Sequence, residues 1–551
     1  MRFSLPVAAS LAVVASAVPT SRTITPSPTV NILNTTFIGN VSGGIESFYG
    51  IPYAQPPVGP LRMKRPQPLS AYASPTVRAT ATPIACPQLG STSANIVQGE
   101  DCLTVNVQRP SDLNSTASVP VFFWIFGGGF ERGYTARYDG SGLVEKSMEL
   151  GHPIIFVSVN YRTNIFGFLG GREVQADGVS NLGLRDQRLA MEWVQDNIAA
   201  FGGDPTQVTI MGESAGSIST LSHTIIEGGN NNYSGRPLFR GAIMDSGTLY
   251  PTDDITSPQA QDLYDQVVLE AGCGSSSNTL DCLRNTSYAE LSTIIQNMPT
   301  FLDYSGIALA FPPRQDPNDS FYPVSVEVAL QAGNYTRVPI ITGDQQDEGT
   351  IFTTAMTNTT TPSLLTDYLQ VLWPNSSQSI RQGLVDGYST DPADGAPFGT
   401  GSLNQLYPQY KMNAALIGDA AFTLQRRNYL STVSTTVPSW SYLDSHRYGD
   451  NPSGTYHSSD TEEIFNTAQL EVNTAARGIA TDTFRSYYIS FTHYLNPNAI
   501  NATSPLIYWP RYTTWDPVLL NLRADGNTLI QDDFRAASAE YLAEHVSELH
   551  F

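Results

Sequence analysis

The chain has 551 residues, of which only 14% are charged, and a formal net charge of −21 at pH 7. That excess of carboxylates disfavours nucleic acid and anionic membrane surfaces as partners, because both would repel the chain at long range. The length exceeds the usual single-domain size, yet there is no Pro/Ser-rich linker, low-complexity run or internal repeat to divide it. One large domain over residues 18–551, carrying insertions, is therefore expected.

Met1 to Ala17 holds one positive charge at Arg2, an apolar segment from Leu5 to Val14 and the small-residue pattern Ala15-Ser16-Ala17. This reads as a secretory signal peptide over residues 1–17, too short to span a bilayer. No later stretch is apolar for long enough to be a transmembrane helix, so a secreted, extracellular protein without stable membrane insertion is expected. Asn-x-Ser/Thr sequons at Asn34, Asn40, Asn114, Asn232, Asn285, Asn318, Asn334, Asn358, Asn375 and Asn501 fit a glycosylated surface. Four cysteines in a secreted chain allow three pairings, and proximity favours Cys86 with Cys102 and Cys273 with Cys282. A loop of about fifteen residues closed in this way stabilises by roughly 3 kcal/mol in the chain-entropy account. There is no Cys-x-x-Cys or clustered histidine spacing, so neither a metal nor a cofactor is expected.

The first elements lie among Pro/Gly-rich turns such as Gly50 to Gly59, with a short strand at Leu103 to Val107. Val119 to Phe126, VPVFFWIF, is a near-continuous apolar run of strand length, the pattern of a strand buried on both faces. Gly127, Gly128 and Gly129 follow it. Such a loop leaves backbone N–H groups unshielded, able to face a developing oxyanion. Pro153 to Val159 is another buried strand. Leu184 to Ala200 has helical spacing, with Leu189, Trp193, Val194 and Ile198 as an inward stripe and charges on the other side. Strand, helix and strand at this spacing make a parallel crossover, so the fold class is α/β.

Val208 to Met211 is a short apolar strand that stops at Gly212-Glu213-Ser214-Ala215-Gly216. This is the G-x-S-x-G elbow, a sharp strand-to-helix turn that holds a serine hydroxyl out at the sheet's edge. Glycine is needed two residues before and after the serine because strand and helix backbones approach too closely for a Cβ. Ser214 is the candidate nucleophile. Gly241 to Gly247 reads as a further core strand, and the following region, to about residue 335, as helical insertions including Asp262–Ala271 and Tyr288–Gln296 that cover one end of the sheet.

A serine alcohol needs a base within hydrogen-bond reach, and the base needs an acid to fix its tautomer. After this elbow the chain order is acid, then histidine. Val338 to Thr342 is a short strand ending in Gly343-Asp344-Gln345-Gln346-Asp347-Glu348-Gly349-Thr350. Spacing does not choose among Asp344, Asp347 and Glu348, and acids in such a loop are ordinarily solvated. His446, His457, His493, His545 and His550 follow. His545 and His550 fall in the last helical segment and His493 in an aromatic-rich stretch. His457, in a loop before a helix starting near Thr461, is favoured over His446, which follows the strand-like Ser439 to Leu443.

The chain resembles the type-B carboxylesterase/lipase family, the cholinesterase-like branch of the α/β-hydrolases. The segments that carry the resemblance are GIPYAQPPVGPLR from Gly50, EDCLTVNVQRP from Glu100, WIFGGGF from Trp124, NYRTNIFGFL from Asn160, NLGLRDQRLAMEWV from Asn181, FGGDPTQVTIMGESAG from Phe201, GDQQDEGT from Gly343 and GTYHSSD from Gly454. The resemblance implies an α/β-hydrolase fold, a large mostly parallel central sheet flanked by helices with helical insertions covering the active site. It implies Glu348 as acid, His457 as base, the backbone N–H groups of Gly128, Gly129 and Ala215 as oxyanion donors, and the disulfides Cys86–Cys102 and Cys273–Cys282. The expected activity is hydrolysis of a small-molecule or lipid carboxylic ester through an acyl-enzyme. In lipases of the family the first disulfide brackets a long amphipathic flap, whereas here only Pro87 to Asp101 lie between the cysteines. That argues against a large lid, and the absence of tryptophan in this loop argues against choline esters as the specific substrate. The alternatives are a true triacylglycerol lipase with interfacial activation and, from another class, a non-catalytic cholinesterase-like binding protein.

Overall fold

The computed structural model describes residues 27–90, 96–114, 116–449, 452–465, 474–500 and 506–551. The leader read over residues 1–17 and the sequon at Asn501 lie outside them. Among the described residues the main sheet has eleven strands: β1 (Asn40–Ser42), β2 (Ile45–Pro52), β3 (Thr104–Pro110), β4 (Val119–Ile125), β5 (Ile155–Val159), β6 (Gly203–Glu213), β7 (Gly241–Asp245), β8 (Ile340–Gln345), β9 (Ser439–Ser445), β10 (Val518–Arg523) and β11 (Thr528–Gln531). Their spatial order is β11-β10-β9-β8-β7-β6-β4-β5-β3-β2-β1. The strands from β10 across to β5 are parallel, and antiparallel strands complete both edges. This is the α/β-hydrolase sheet, with the strand that feeds the elbow at its middle.

Burial explains the strand compositions. Every residue of β4 after Val119 is buried, because β5 and β6 flank it and helices cover both faces. In β6, Ile210 stands between Phe123 and Ala242 of the two neighbouring strands. The strand is longer than the apolar run Val208–Met211, since its polar first residues still pair at Val119. The helix α1 (Leu182–Asn197) joins β5 to β6, and α2 (Ala215–Gly229) leaves the elbow.

The simple two-faced picture of α1 does not hold. Leu189 is only half-buried, whereas Asp186 and Arg188 on the expected polar side are buried. Asp186 is tied to the Arg162 guanidinium at 2.6 and 2.8 Å. A charged residue that brings its own partner enters the interior without an unpaired charge, so polarity alone misassigned that face.

The acidic segment after Thr342 is also corrected. The strand runs on through Gly343, Asp344 and Gln345, and none of Asp344, Asp347 and Glu348 is more than 1% exposed. These acids are not solvated. Asp344 accepts from Arg426 at 2.6 Å, and the same guanidinium reaches Asp532 at 3.0 Å. Asp347 accepts from the backbone N–H groups of Phe398 and Thr455 at 2.8 and 2.9 Å. Replacing Arg426 with Met would strand the buried Asp344 carboxylate, while Asp532 keeps Arg427 at 2.7 Å and the Tyr512 hydroxyl at 3.0 Å, and a loss of about 3–5 kcal/mol in unfolding free energy is expected from denaturant titration.

Both disulfides form as the sequence led one to expect, Cys86–Cys102 and Cys273–Cys282. The helices Pro258–Glu270, Thr279–Asn285, Tyr288–Ile295 and Val326–Gln331 occupy the insertion after β7. Beside the sheet's own core lies a second apolar cluster, including Tyr250, Ile307, Phe352, Trp373 and Phe422, drawn from the insertions. Among the described residues no helix is long and apolar enough to cross a membrane.

Candidate active site

The elbow carries the strain its pattern demands. Ser214 has φ 57° and ψ −125°, a conformation costly for a residue with a Cβ, held by its N–H donating to the Asp245 carbonyl at 2.9 Å. A Cβ on Gly212 would lie 2.1 Å from the Gly216 carbonyl oxygen, and one on Gly216 would lie 2.1 Å from that of Ile125. Neither position tolerates a larger residue. The serine therefore sits at the start of α2, at the C-terminal end of the parallel strands, where α/β sheets place their ligands.

The Gly127–Gly129 loop leaves β4 directly beside it: a Cβ on Gly127 would be 2.8 Å from Ser214 Cβ. Gly128 and Gly129 have φ of 112° and 65°, which turn this loop sharply over the elbow. Gly129, Ser214 and Ala215 together line one end of a pocket of about 360 Å³, part of it open to solvent. The rest of its wall is apolar, with Ile218, Tyr250, Phe301, Leu309, Phe352 and Phe422.

The histidine and the acid come from the loops after β9 and β8. His457 Nδ1 is 2.6 Å from Glu348 Oε2, and the other oxygen of that carboxylate accepts from the Gln345 N–H at 2.7 Å. The His457 ring is buried against Phe352 and Phe422, with centroids 5.1 and 4.6 Å away. Those two rings also line the pocket that Ser214 lines, so His457 packs directly against its wall. The Ser214 hydroxyl makes no hydrogen bond among the described residues. His457 Nε2 instead has Glu213 Oε1 at 3.4 Å, and Glu213 also accepts from the Ser458 hydroxyl. The ring is thus bracketed by two carboxylates. Burial by itself would lower its proton affinity, but Glu348 first, then Glu213 and Asp344, outweigh burial and raise its pKa above the ordinary histidine value. Glu213 is itself held above the usual carboxylate range by burial, against the opposing pull of the His457 ring and the Ser458 hydroxyl.

The competing histidine has a different partner. His446 Nδ1 lies 2.7 Å from Asp444 Oδ2, and its Nε2 is 3.7 Å from Glu463 Oε1. Those carboxylates overcome its burial and raise its pKa to about 9. His493 meets the His152 carbonyl at 3.0 Å, His545 meets Glu548, and His550 stands between Asp253 and Glu327. Sequence reading did not find the pocket wall. Tyr250, Phe301, Leu309 and Phe352 sit in turns and loops without periodicity, and the sequence offers no signal that gathers them.

The stretch around the first disulfide is short and tied down where it is described. Gln88 accepts from Gly133 N at 2.7 Å through its side chain and from Gln296 at 2.9 Å through its carbonyl. Residues 91–95 of that loop lie outside the described residues.

Comparison with known proteins places this site in context. Residues 26–541 match the carboxylesterase family. The chain is 44% identical to secreted lipase 1 of Botryotinia fuckeliana, over 95% of this chain and 94% of that protein. It is 41% identical to the secreted triacylglycerol lipase LIP1 of Gibberella zeae, over 95% and 91%. The crystal structure of Aspergillus niger EstA superposes with a TM-score of 0.82 at 26% identity, covering 96% of this chain and 99% of that one. With identity above 40% to two proteins along nearly its whole length, and the family matched from residue 26 to residue 541, the chain belongs to the carboxylesterase family.

Proposed function

We propose that this carboxylic ester hydrolase works through Ser214, His457 and Glu348, with the backbone N–H groups of Gly128, Gly129 and Ala215 receiving the oxyanion. The observation that carries this reading is the 2.6 Å pairing of Glu348 with His457, whose ring packs on Phe352 and Phe422 in the wall of the pocket lined by the strained elbow serine. In the first half-reaction Ser214 Oγ bonds to the ester carbonyl carbon, its proton passes to His457 Nε2, and the carbonyl electron pair moves onto the oxygen facing the glycine loop. Collapse expels the alcohol, which takes the proton from His457. Water then attacks the acyl-serine by the same route and releases the acid. Phe352 and Phe422 exclude solvent from the imidazole while the proton is on it, which strengthens every charge interaction there.

The apolar wall favours an apolar acyl or alcohol group over a charged one. Triacylglycerols are the second reading, supported by the name of the Gibberella zeae relative, a secreted triacylglycerol lipase, and by that of the Botryotinia fuckeliana relative, a secreted lipase. Residues 1–17 together with those relatives support secretion into the extracellular space. The nine described sequon asparagines are all exposed, which supports glycan attachment.

A fluorophosphonate probe is expected to add one phosphonyl group at Ser214, read by peptide mass spectrometry. Assays on soluble short-chain and emulsified long-chain esters then separate the two readings. A rate that follows dissolved ester and does not jump at the solubility limit supports an esterase, and a jump supports the lipase. A protein that neither labels nor turns over any ester would sink the proposed mechanism.

A further inference from the structure

Tyr250, a ring of the pocket wall, is held by hydrogen bonds from a distant part of the chain. Its hydroxyl donates to the Ile307 carbonyl at 2.6 Å and accepts from the Leu309 N–H at 3.0 Å. Tyr250, Ile307 and Leu309 all line the pocket, so these two bonds make three lining residues into one panel. Nothing in those bonds stops the panel from moving as a unit away from Ser214. What stands behind it is Phe551. The two rings stack at 4.4 Å between centroids with 5° between planes, and Phe551 in turn packs on Trp373 at 5.5 Å. Phe551 and Trp373 are both buried.

Residues 549–551 are fastened more firmly than packing alone requires. The Phe551 N–H donates to the Pro251 carbonyl at 2.9 Å, one residue from Tyr250, and its carbonyl faces Arg314 Nη1 at 3.4 Å. His550 lies between two carboxylates, with Nδ1 3.2 Å from Asp253 and Nε2 3.2 Å from Glu327. Leu549 fills the same apolar cluster. The bonds that fix the segment thus hold the Phe551 ring flat against the back of a pocket wall.

From this we infer that Phe551 is a positioning residue acting through Tyr250: its ring, fixed by the bonds of residues 550 and 551, is a brace that sets how long an acyl chain the Ser214 pocket accepts. The inference rests on the pocket being the acyl site of the proposed reaction. A close-packed wall cannot yield to an extra methylene without displacing a ring from its stacked position. Without the brace, the space left by one phenyl ring lies directly behind Tyr250, and the panel can retreat into it.

The test compares wild type with Phe551→Ala, Phe551→Tyr and Leu549→Ala in the full-length protein. The kcat/KM ratio for p-nitrophenyl dodecanoate against butanoate is expected to rise at least about tenfold in Phe551→Ala, the scale on which a pocket discriminates by methylene groups. It should stay at the wild-type value in Phe551→Tyr, which keeps the stacked ring. Leu549→Ala creates a cavity in the same cluster and should lower the unfolding temperature while leaving the ratio alone. An unchanged ratio in Phe551→Ala, or an equal rise in Leu549→Ala, overturns the brace. Calorimetric binding of dodecanoic and butanoic acids gives the same comparison without turnover. A shift in binding selectivity with no ester hydrolysis by any protein would support the brace and fail the catalytic reading, and unchanged binding selectivity would overturn the brace.

Discussion

Ser214→Ala is expected to lower kcat on p-nitrophenyl esters by about 10⁶-fold, the scale of losing the nucleophile from a serine triad. The residual rate should still exceed that in water by roughly 10³–10⁴, because the oxyanion donors and the pocket remain. The variant is expected to fold normally. Alanine bears the same Cβ as serine at φ 57°, and the anchoring bond to Asp245 comes from the backbone N–H, not the hydroxyl. KM should change little, since the hydroxyl is one small group in a pocket whose wall is otherwise mostly apolar side chains that the substitution leaves in place. Active-site titration, circular dichroism and steady-state kinetics on one preparation check all four statements. Turnover near the wild-type level would show that another residue attacks the ester, and the mechanism would have to be abandoned.

The parts of this site that were legible in the sequence are those that backbone sterics dictate. Gly212 and Gly216 are fixed by contacts of 2.1 Å that only glycine survives, so the elbow declares itself in five consecutive residues. The Gly127–Gly129 loop is legible for a related reason, since it must pass close over Ser214. The central strands show as continuous apolar runs because both sheet faces are covered. The acid and base are different. Glu348 and His457 are 109 residues apart, and they meet only because β8 and β9 run side by side in parallel, each delivering the loop at its C-terminal end. Asp344, Asp347 and Glu348 look alike as letters, and all three are buried. What distinguishes them is the partner each faces: Arg426, two backbone amides, or an imidazole. His446 was a fair rival because it too is buried and paired, with Asp444 two residues away. The resemblance to the carboxylesterases singles out Glu348 and His457, and in the structure Glu348 Oε2 lies 2.6 Å from His457 Nδ1. Glu213, the residue before the elbow serine, lies 3.4 Å from His457 Nε2 and so puts a second carboxylate beside the ring.

Glu348→Gln is expected to cost about 10⁴-fold in kcat, although it changes neither the size nor the burial of the side chain. The argument is about hydrogen count. In the native site Oε1 accepts from the Gln345 N–H and Oε2 accepts from His457 Nδ1–H, so both carboxylate oxygens serve as acceptors. Glutamine has one acceptor and one donor group. If its carbonyl keeps the bond to Gln345, its amide N–H faces Nδ1 and forces the ring proton onto Nε2, where Glu213 is ready to accept it. A ring protonated at Nε2 cannot take the proton of Ser214. If the amide turns the other way, two donors oppose each other at Gln345 in a buried site, which is also costly. The pH profile separates this effect from simple loss of structure. The base works in its neutral form, so activity rises as pH passes upward through the His457 pKa, and in wild type that limb lies above the ordinary histidine value because burial is outweighed by Glu348, Glu213 and Asp344. Removing the largest of those charges should move the limb to lower pH while the plateau falls. Glu213→Gln should also move the limb downward, yet it leaves the proton on Nδ1 and should lose far less of the plateau. Equal plateau losses in the two variants, or an acid limb unmoved in Glu348→Gln, would mean that Glu348 does not govern the imidazole and that the acid of the triad lies elsewhere.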